Sequence, residues 1–351
     1  MSVDWSAPLK GTRVLDLSEG VAAGFTGRLF AQLGATVSHV TCADGPGPRE
    51  VAMAPVQLQR RVNKYLHAGK RFVLNDGPEL TVANLVPLLG TADIVVHDRG
   101  ERFAEELLTQ TKAANSKVVS LAPFGWSGPK KDWAGDSLVL QAAAGISMLV
   151  GTADREPLML PGFQVQYTAG CFGFIAGMSL TLSADPSERH VLVTELESAC
   201  TLHQTTYLAY TRLGWVRKRG QFMLPTATYM SCTDGDIVIA AVKPNHWAAL
   251  AIVCDRPDLL EEPTYRTFLE RRLHAQKLET ELRPWFGERS CDDAFEQLCR
   301  VGVPAAAIKS PAAAAEDPQF AYRGFNEHKA GETGLPLPFL INGVRPNRRN
   351  D

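Results

Sequence analysis

No two cysteines of this chain are spaced as CxxC, and its eight histidines form neither HxxxH nor HExxH. Zinc and thioredoxin-type chemistry therefore have no signature. The seven cysteines (Cys42, Cys171, Cys200, Cys232, Cys254, Cys291 and Cys299) read as buried free thiols in a reducing cytoplasm. No GxGxxG follows the first strand, so a dinucleotide site is not indicated. Excess charge is lacking too: the net charge is −2, which supplies no field for nucleic acid. The longest apolar stretch, Tyr167 to Leu182, is short and rich in glycine. It reads as a buried helix and not as a membrane span. The opening residues MSVDWSAPLK lack the apolar core of a signal peptide. Internal repeats are absent.

What is present is an ordinary globular composition, 45% hydrophobic and 21% charged over 351 residues, enough for one large or two modest domains. Strand-like Arg13–Leu17, helical Phe25–Leu33 and strand-like Ala35–Val40 make a βαβ unit. Ala43–Arg49 is a Gly/Pro turn region. Strand candidates Lys70–Leu74, Asp93–Val96 and Lys117–Leu121 alternate with helical Leu80–Leu89 and Arg102–Leu108. This alternation predicts an α/β domain with an open parallel, Rossmann-like sheet. Ligands of such sheets bind at the carboxyl ends of the strands. Lys70, Arg71, His97 and Arg99 lie near strand ends. Ser137–Leu149 and Ala169–Leu182 read as helices, His190–Thr194 as a strand, and Glu195–Leu213 as one long helix.

The character changes near Gln221. Ala227–Thr233 and Asp236–Val242 flank Asp234–Gly235, a hairpin signal. Helical Trp247–Cys254, Tyr265–Glu281 and Cys291–Val301 follow, with a strand at Val303–Ile308. The expected division is a large α/β domain at 1–220, a smaller α+β domain at 221–325, and a C-terminal segment 326–351 returning towards the large domain.

One stretch stands out: Pro157 to Gly170, PLMLPGFQVQYTAG. It runs from a strand-like segment into a Gly/Ala-rich helical one, and its polar residue at the turn is Gln166.

Taken together, these segments resemble the family III CoA-transferases (the CaiB/BaiF family). LKGTRVLDLSEGVAAG (Leu9–Gly24) is similar to the family's opening "LxGxRVLDLSxxxAGP", with Phe25 in the place of proline. LFAQLGATVSHV is similar to "LLADLGADVIKVE", and HAGKRFVLN to "NRGKRSVxLD", with His67 and Ala68 replacing Asn and Arg. DIVVHDRG resembles "DVVIENFRPG", FGWSGP resembles "FGxxGP", and DPQFAYRG resembles a marker of the small domain. Number, order and spacing together carry the resemblance, which covers nearly the whole chain.

The resemblance implies dimers of interlocked ring-like subunits that move coenzyme A between carboxylic acids, or epimerise α-methyl acyl-CoA esters. In the transferases an aspartate attacks the acyl-CoA, giving an anhydride and then an aspartyl–CoA thioester. That aspartate lies in a pattern like "PVRVGVSIADYTAG", and its position falls here on Gln166. An amide cannot make the thioester. The racemase branch uses a histidine before the aspartate of "GHD". Gly135 stands there, followed by Asp136, so two-base proton exchange is not expected.

CoA-phosphate contacts are expected from Lys70, Arg71 and Arg99. Gly135, Asp136, Phe124, Gly125 and Tyr167 are expected to neighbour the active site. Asp136 equally fits a cap for the helix at Ser137. Asp154 and Glu156 are substitute carboxylates or surface residues. Cys171 is a thiol nucleophile or, better, a small core residue. His97 reads as a strand-end residue. Coenzyme A is the expected ligand, without a metal.

The leading expectation is the nucleophile-lacking subunit of a heteromeric CoA-transferase, cytoplasmic, beside an Asp-bearing homologous subunit. The alternatives are a stand-alone enzyme on a CoA ester (a transferase with a substitute carboxylate, a hydrolase or a lyase) and a non-catalytic CoA-binding protein. The family continues through a "PxLGEHT"-like segment into a final helix, where this chain has LPLPFLINGVRPNRRND. That difference is expected to open the acyl site or weaken the dimer.

Overall fold

The computed structural model describes residues 4–42, 48–52, 54–75, 79–112, 115–220, 226–325 and 335–346. Most of the Gly/Pro turn at 43–49 and all of the basic tail 347–351 lie outside the described residues. Two compact units are formed: Met1–Arg219 with Glu327–Asp351, and Gly220–Asn326.

The large unit runs β1 (Arg13–Leu17), α1 (Val21–Gln32), β2 (Thr36–Cys42), α2 (Val56–Leu66), β3 (Arg71–Asn75), α3 (Val82–Leu89), β4 (Ile94–His97), α4 (Glu101–Gln110) and β5 (Lys117–Ala122). It continues with α5 (Ser137–Ala143), α6 (Gln164–Leu182), β6 (His190–Thr194), α7 (Glu195–Leu202) and α8 (Gln204–Leu213). Its six strands are parallel, in the order β3-β2-β1-β4-β5-β6.

Every residue of β4 and β5 is buried, as befits parallel strands covered on both faces. Successive side chains serve opposite faces. Val14, Ile94, Val96 and Val119 pack with Phe30 of α1 and Ala169 of α6. Leu15, Leu17, Val95 and Val118 pack with Leu85, Leu89 and Leu107 of α3 and α4. Each such burial stabilises by about 1.5–3 kcal/mol. From β1 the chain winds outward through β2 and β3, then returns to the other side of β1 as β4. The carboxyl ends of β1 and β4 therefore diverge at a topological switch point, where an open α/β sheet leaves a crevice.

Helix α6 is long and apolar enough, by length and composition, to cross a membrane. Here it lies on α1 through small residues. A Cβ on Gly170 would stand 2.8 Å from the Ala22 carbonyl oxygen, and one on Gly173 would stand 2.5 Å from Thr26 Oγ1. Thr26 Oγ1 donates to the Gly170 carbonyl at 3.0 Å, tying the two helices together.

Several boundaries differ from the sequence reading. Pro157–Leu160 is not a strand, and α6 begins at Gln164, so Gln166 sits in the first turn of a helix. The helix expected from Ser137 to Leu149 stops at Ala143, with Gly145 at φ +85° just beyond. The long helix from Glu195 breaks at His203, whose φ of −125° is not helical and whose Nε2 meets the Ala144 carbonyl at 2.7 Å. Helix α2 was not anticipated. Its sequence, VQLQRRVNKYL, is mostly polar, and Leu66 is its one fully buried residue.

In the small unit, β7 (Ala227–Ser231) and β8 (Asp236–Ala240) form the antiparallel hairpin. After them come α9 (Pro244–Val253), α10 (Asp258–Glu261), α11 (Phe268–Leu273), α12 (Ala275–Gly287), α13 (Cys291–Arg300), β9 (Ala305–Ala307), α14 (Pro311–Ala315) and α15 (Pro318–Tyr322). The helix expected over Tyr265–Glu281 is two helices. Thr267 and Glu270 make a capping box that starts α11, and non-helical His274 separates it from α12.

Candidate active site

The loops leaving β1 and β4, the segment at Arg49 and Glu50, and the starts of α1, α6 and α7 gather a set of charged residues. Leu17 ends β1, and Glu19 and Gly20 lead into α1. Their amides donate to the Asp98 carboxylate at 2.9 and 2.7 Å. Arg49 completes Asp98 at 2.7 Å. The Val21 amide, at the start of α1, donates to Glu50 at 2.9 Å. Burial raises the Glu50 carboxyl above its ordinary value. Gly20 has no room for a side chain: a Cβ would lie 2.8 Å from Asp98 and 2.9 Å from Glu50.

Gln166 faces this set. It is fully buried, and its Nε2 donates to Glu195 Oε2 at 2.8 Å. Its Oε1 is sealed from solvent without a hydrogen-bond partner. Glu195 opens α7 directly after β6 and is 6% exposed. Burial, then the negative charge of Glu50, push its carboxyl up to about 7; the Gln166 hydrogen bond opposes them. No cation among the described residues pairs with Glu195.

The raised value has a consequence for stability. Between its ordinary 4.5 and about 7, Glu195 binds more proton folded than unfolded. Its contribution is therefore fully present below about 4.5 and lost as pH rises through about 7. Glu195→Gln mimics the neutral form. The variant is expected to gain on the parent as pH rises, by about 3 kcal/mol at most near pH 8. Denaturant unfolding across this range checks the sign; a gap that shrinks with pH contradicts it.

The three expected CoA cations do not form one cluster. Lys70 is turned inward, its ammonium enclosed by Asp16, the Gly24 carbonyl at 2.8 Å and His67 Nδ1 at 3.2 Å. Burial lowers the Lys70 ammonium from its ordinary value, and Asp16 counters that pull. His67, buried and beside that ammonium, is pushed down to about 2 and stays neutral. Asp16, His39 and His67 bring metal-type ligand atoms within 4.8 Å of one another. Lys70 already supplies the cation there. Arg71 is exposed at the start of edge strand β3. Arg99 follows β4, bonded to the Leu17 carbonyl at 3.0 Å and paired with Glu19 at 2.8 Å. Three inter-strand spacings, roughly 14 Å, separate β3 from β4.

The other candidates divide between the site's wall and the frame. Asp136 caps α5, accepting from the Val139 amide at 3.0 Å. Gly135 packs on Phe124, where a Cβ would lie 2.8 Å from the ring. Phe124 is buried with Leu140, Val165 and Ala199. Gly125, at φ +84°, lies over Thr194, the residue before Glu195. Tyr167 packs on Phe25, with ring centroids 4.8 Å apart, and burial raises its hydroxyl to about 12. His97 is wholly buried on Ser120 Oγ at 2.6 Å and is held at about 3 by burial. Cys171 is exposed, not a core residue, and partial burial of its thiol raises its pKa. Asp154 and Glu156 are exposed in a turn.

Sequence reasoning missed Glu195, Glu50, Asp98 and Arg49. One signal for Glu195 was there: a carboxylate immediately after a strand of a parallel sheet, on the edge where ligands bind.

Residues 9–348 match the profile of CoA-transferase family III. The chain belongs to that family. A probable fatty acyl-CoA transferase of Mycobacterium tuberculosis is 24% identical over 340 residues, covering 90% of this chain and 86% of its own. The succinate–glutarate CoA-transferase of Agrobacterium fabrum is 24% identical over 365 residues, covering 96% and 88%. A Chloroflexus aurantiacus relative, 23% identical over 334 residues with 90% and 78% covered, is named as the alpha subunit of a succinyl-CoA–L-malate CoA-transferase. In fold, the family III chain is similar to a CaiB/BaiF family protein from Brucella suis. The TM-score is 0.80 at 24% identity, over 97% of this chain and 94% of that one.

Proposed function

We propose that this family III chain binds a CoA thioester at the crevice beyond β1, β4 and β6. There it takes part in moving CoA between carboxylic acids, without covalent chemistry at position 166. The observation that carries the reading is the placement of Gln166: a buried amide bound to Glu195, the residue directly after β6, where the family resemblance puts an attacking aspartate. Arg99, at the switch point, is the cation best placed for a CoA phosphate. A dimer, as the resemblance implies, and a cytoplasmic setting belong to the same reading. Seven free cysteines support the latter. Calorimetry with CoA and a series of acyl-CoA esters tests the core of the proposal; no binding to any of them sinks it.

A second reading makes this chain the nucleophile-lacking half of a heteromer beside an Asp-bearing homologous subunit. The alpha-subunit name of the Chloroflexus relative favours it. It predicts transferase activity only when such a subunit is added.

A carboxylate can also be moved back to position 166. Gln166→Asp alone sets two buried carboxyls side by side, and they share one proton. The swap Gln166→Asp with Glu195→Gln avoids this. The swapped protein is expected to form a hydroxylamine-sensitive acyl adduct on residue 166. An unlabelled residue 166 in a folded, CoA-binding swap contradicts the expectation.

A further inference from the structure

We propose that the carboxylate of this site has not been lost but displaced: Glu195 is the nucleophile that carries the acyl group and then CoA. The inference rests on CoA-thioester binding at this crevice and makes a partner's aspartate unnecessary.

Five features of the geometry support it. Glu195 Oε2 lies 2.8 Å from Gln166 Nε2, so a carboxylate stands within one hydrogen bond of the expected position. Of the other acids of the set, Asp98 is held by two amides and Arg49 and Glu50 accepts from the Val21 amide, and among the described residues only Glu195 bonds the Gln166 side chain. Glu195 makes no salt bridge among the described residues, Arg49 reaching it only through its field, and the Gln166 amide holds one of its oxygens in place. Finally, α6 begins beside it without a side-chain cap, so its first N–H groups are available to an oxyanion. The sealed Gln166 Oε1 lacks a donor, which an amide of a bound CoA ester can provide.

The steps balance without any added reagent. An oxygen of ionised Glu195 attacks the thioester carbonyl, the C–S bond breaks, and CoA leaves as thiolate. An acyl–glutamyl anhydride remains. The thiolate then attacks the side-chain carboxyl carbon of Glu195, the bond from that carbon to the bridging oxygen breaks, and the donor acid leaves as carboxylate. The resulting glutamyl–CoA thioester is attacked by the acceptor carboxylate, giving a second anhydride and CoA thiolate. Attack of that thiolate on the acceptor's acyl carbon forms the new CoA ester and returns Glu195 as carboxylate. No proton is consumed.

The test uses the full chain without any partner. It is incubated with a series of CoA thioesters from acetyl-CoA and succinyl-CoA to long-chain acyl-CoA, then with hydroxylamine. Peptide mapping then locates the hydroxamate. The expected result is a hydroxamate on Glu195, absent from Glu195→Gln, with a labelling rate that rises as pH is raised through about 7. Glu195→Gln must keep CoA-ester binding within a few-fold of the parent, which separates lost chemistry from lost structure. If that variant does not fold, mapping of the parent protein still decides. Binding of any CoA ester without a label on Glu195, or a label on another carboxylate, overturns the assignment and leaves the binding reading intact. No CoA-ester binding at all overturns both.

Discussion

Lys70→Met is expected to destabilise the large unit by about 3–5 kcal/mol, the range for removing one partner of a buried ion pair. Neither Lys70 nor Asp16 exposes any side chain. Burial is the largest single influence and raises the Asp16 carboxyl, but the Lys70 ammonium, His39 and His67 together outweigh it and hold the carboxyl well below its ordinary 3.8. Methionine fills the space of the lysine stem yet leaves that carboxylate without its cation. The dependence on pH has a definite sign. In the parent, the Asp16 contribution is present above about 3.8 and is lost as pH falls further. The gap between parent and variant should therefore be widest near neutrality and close on acidification. Asp16→Asn combined with Lys70→Met should recover a large part of the loss, because no unpaired charge remains. Chemical denaturation of the three proteins measures this. A loss below about 1 kcal/mol for Lys70→Met, together with weakened CoA binding, would instead return Lys70 to the role of a phosphate ligand.

Gly170→Val carries the second large effect. Its Cβ would meet the Ala22 carbonyl oxygen at 2.8 Å and two Phe25 atoms at 3.0 and 3.1 Å, all on α1. A backbone carbonyl cannot swing aside as a side-chain tip can, so α1 must move. Overpacking of this kind costs about 1–3 kcal/mol, and the better helix propensity of valine over glycine offsets only a few tenths of it. The displaced helix begins at Val21, whose amide holds Glu50, so CoA-ester binding should fall along with stability. Gly287→Ala is the control: nothing lies within 4 Å of its added Cβ, and its change should stay under about 1 kcal/mol. Thermal unfolding and calorimetric titration of both variants test the pair of claims. A Gly170→Val protein as stable as the control contradicts the packing argument.

The sheet was legible because buried parallel strands announce themselves. RVLDL, DIVV and KVVSL are short apolar runs between helical segments, and few other arrangements bury them all. Helix limits were less legible. Non-helical His203 and His274 follow from a carbonyl contact and from a neighbouring cap, which single-strand periodicity does not encode. Gln166 was found because its segment aligns with the family's PVRVGVSIADYTAG-like spacing. Glu195 was not, since 29 residues separate it from Gln166 and no local period links a helix start to another helix start. The burial of Lys70 was not legible for a related reason: its acid, Asp16, lies 54 residues earlier.

The segment around Leu335–Leu337 belongs to the large unit although the small unit precedes it in the chain. Gln32 of α1 donates to the Leu335 carbonyl at 3.1 Å, and Leu337 is buried with Leu29 and Leu33. On a translating ribosome this face of α1 therefore has only Leu9, Phe25 and later Phe174 against it while roughly three hundred residues emerge before Leu337. The small unit, whose sheet and core are contiguous in sequence, can condense before its predecessor is finished. The nascent large unit thus folds around a leucine pair whose Leu337 cover is made only after the whole of the small unit.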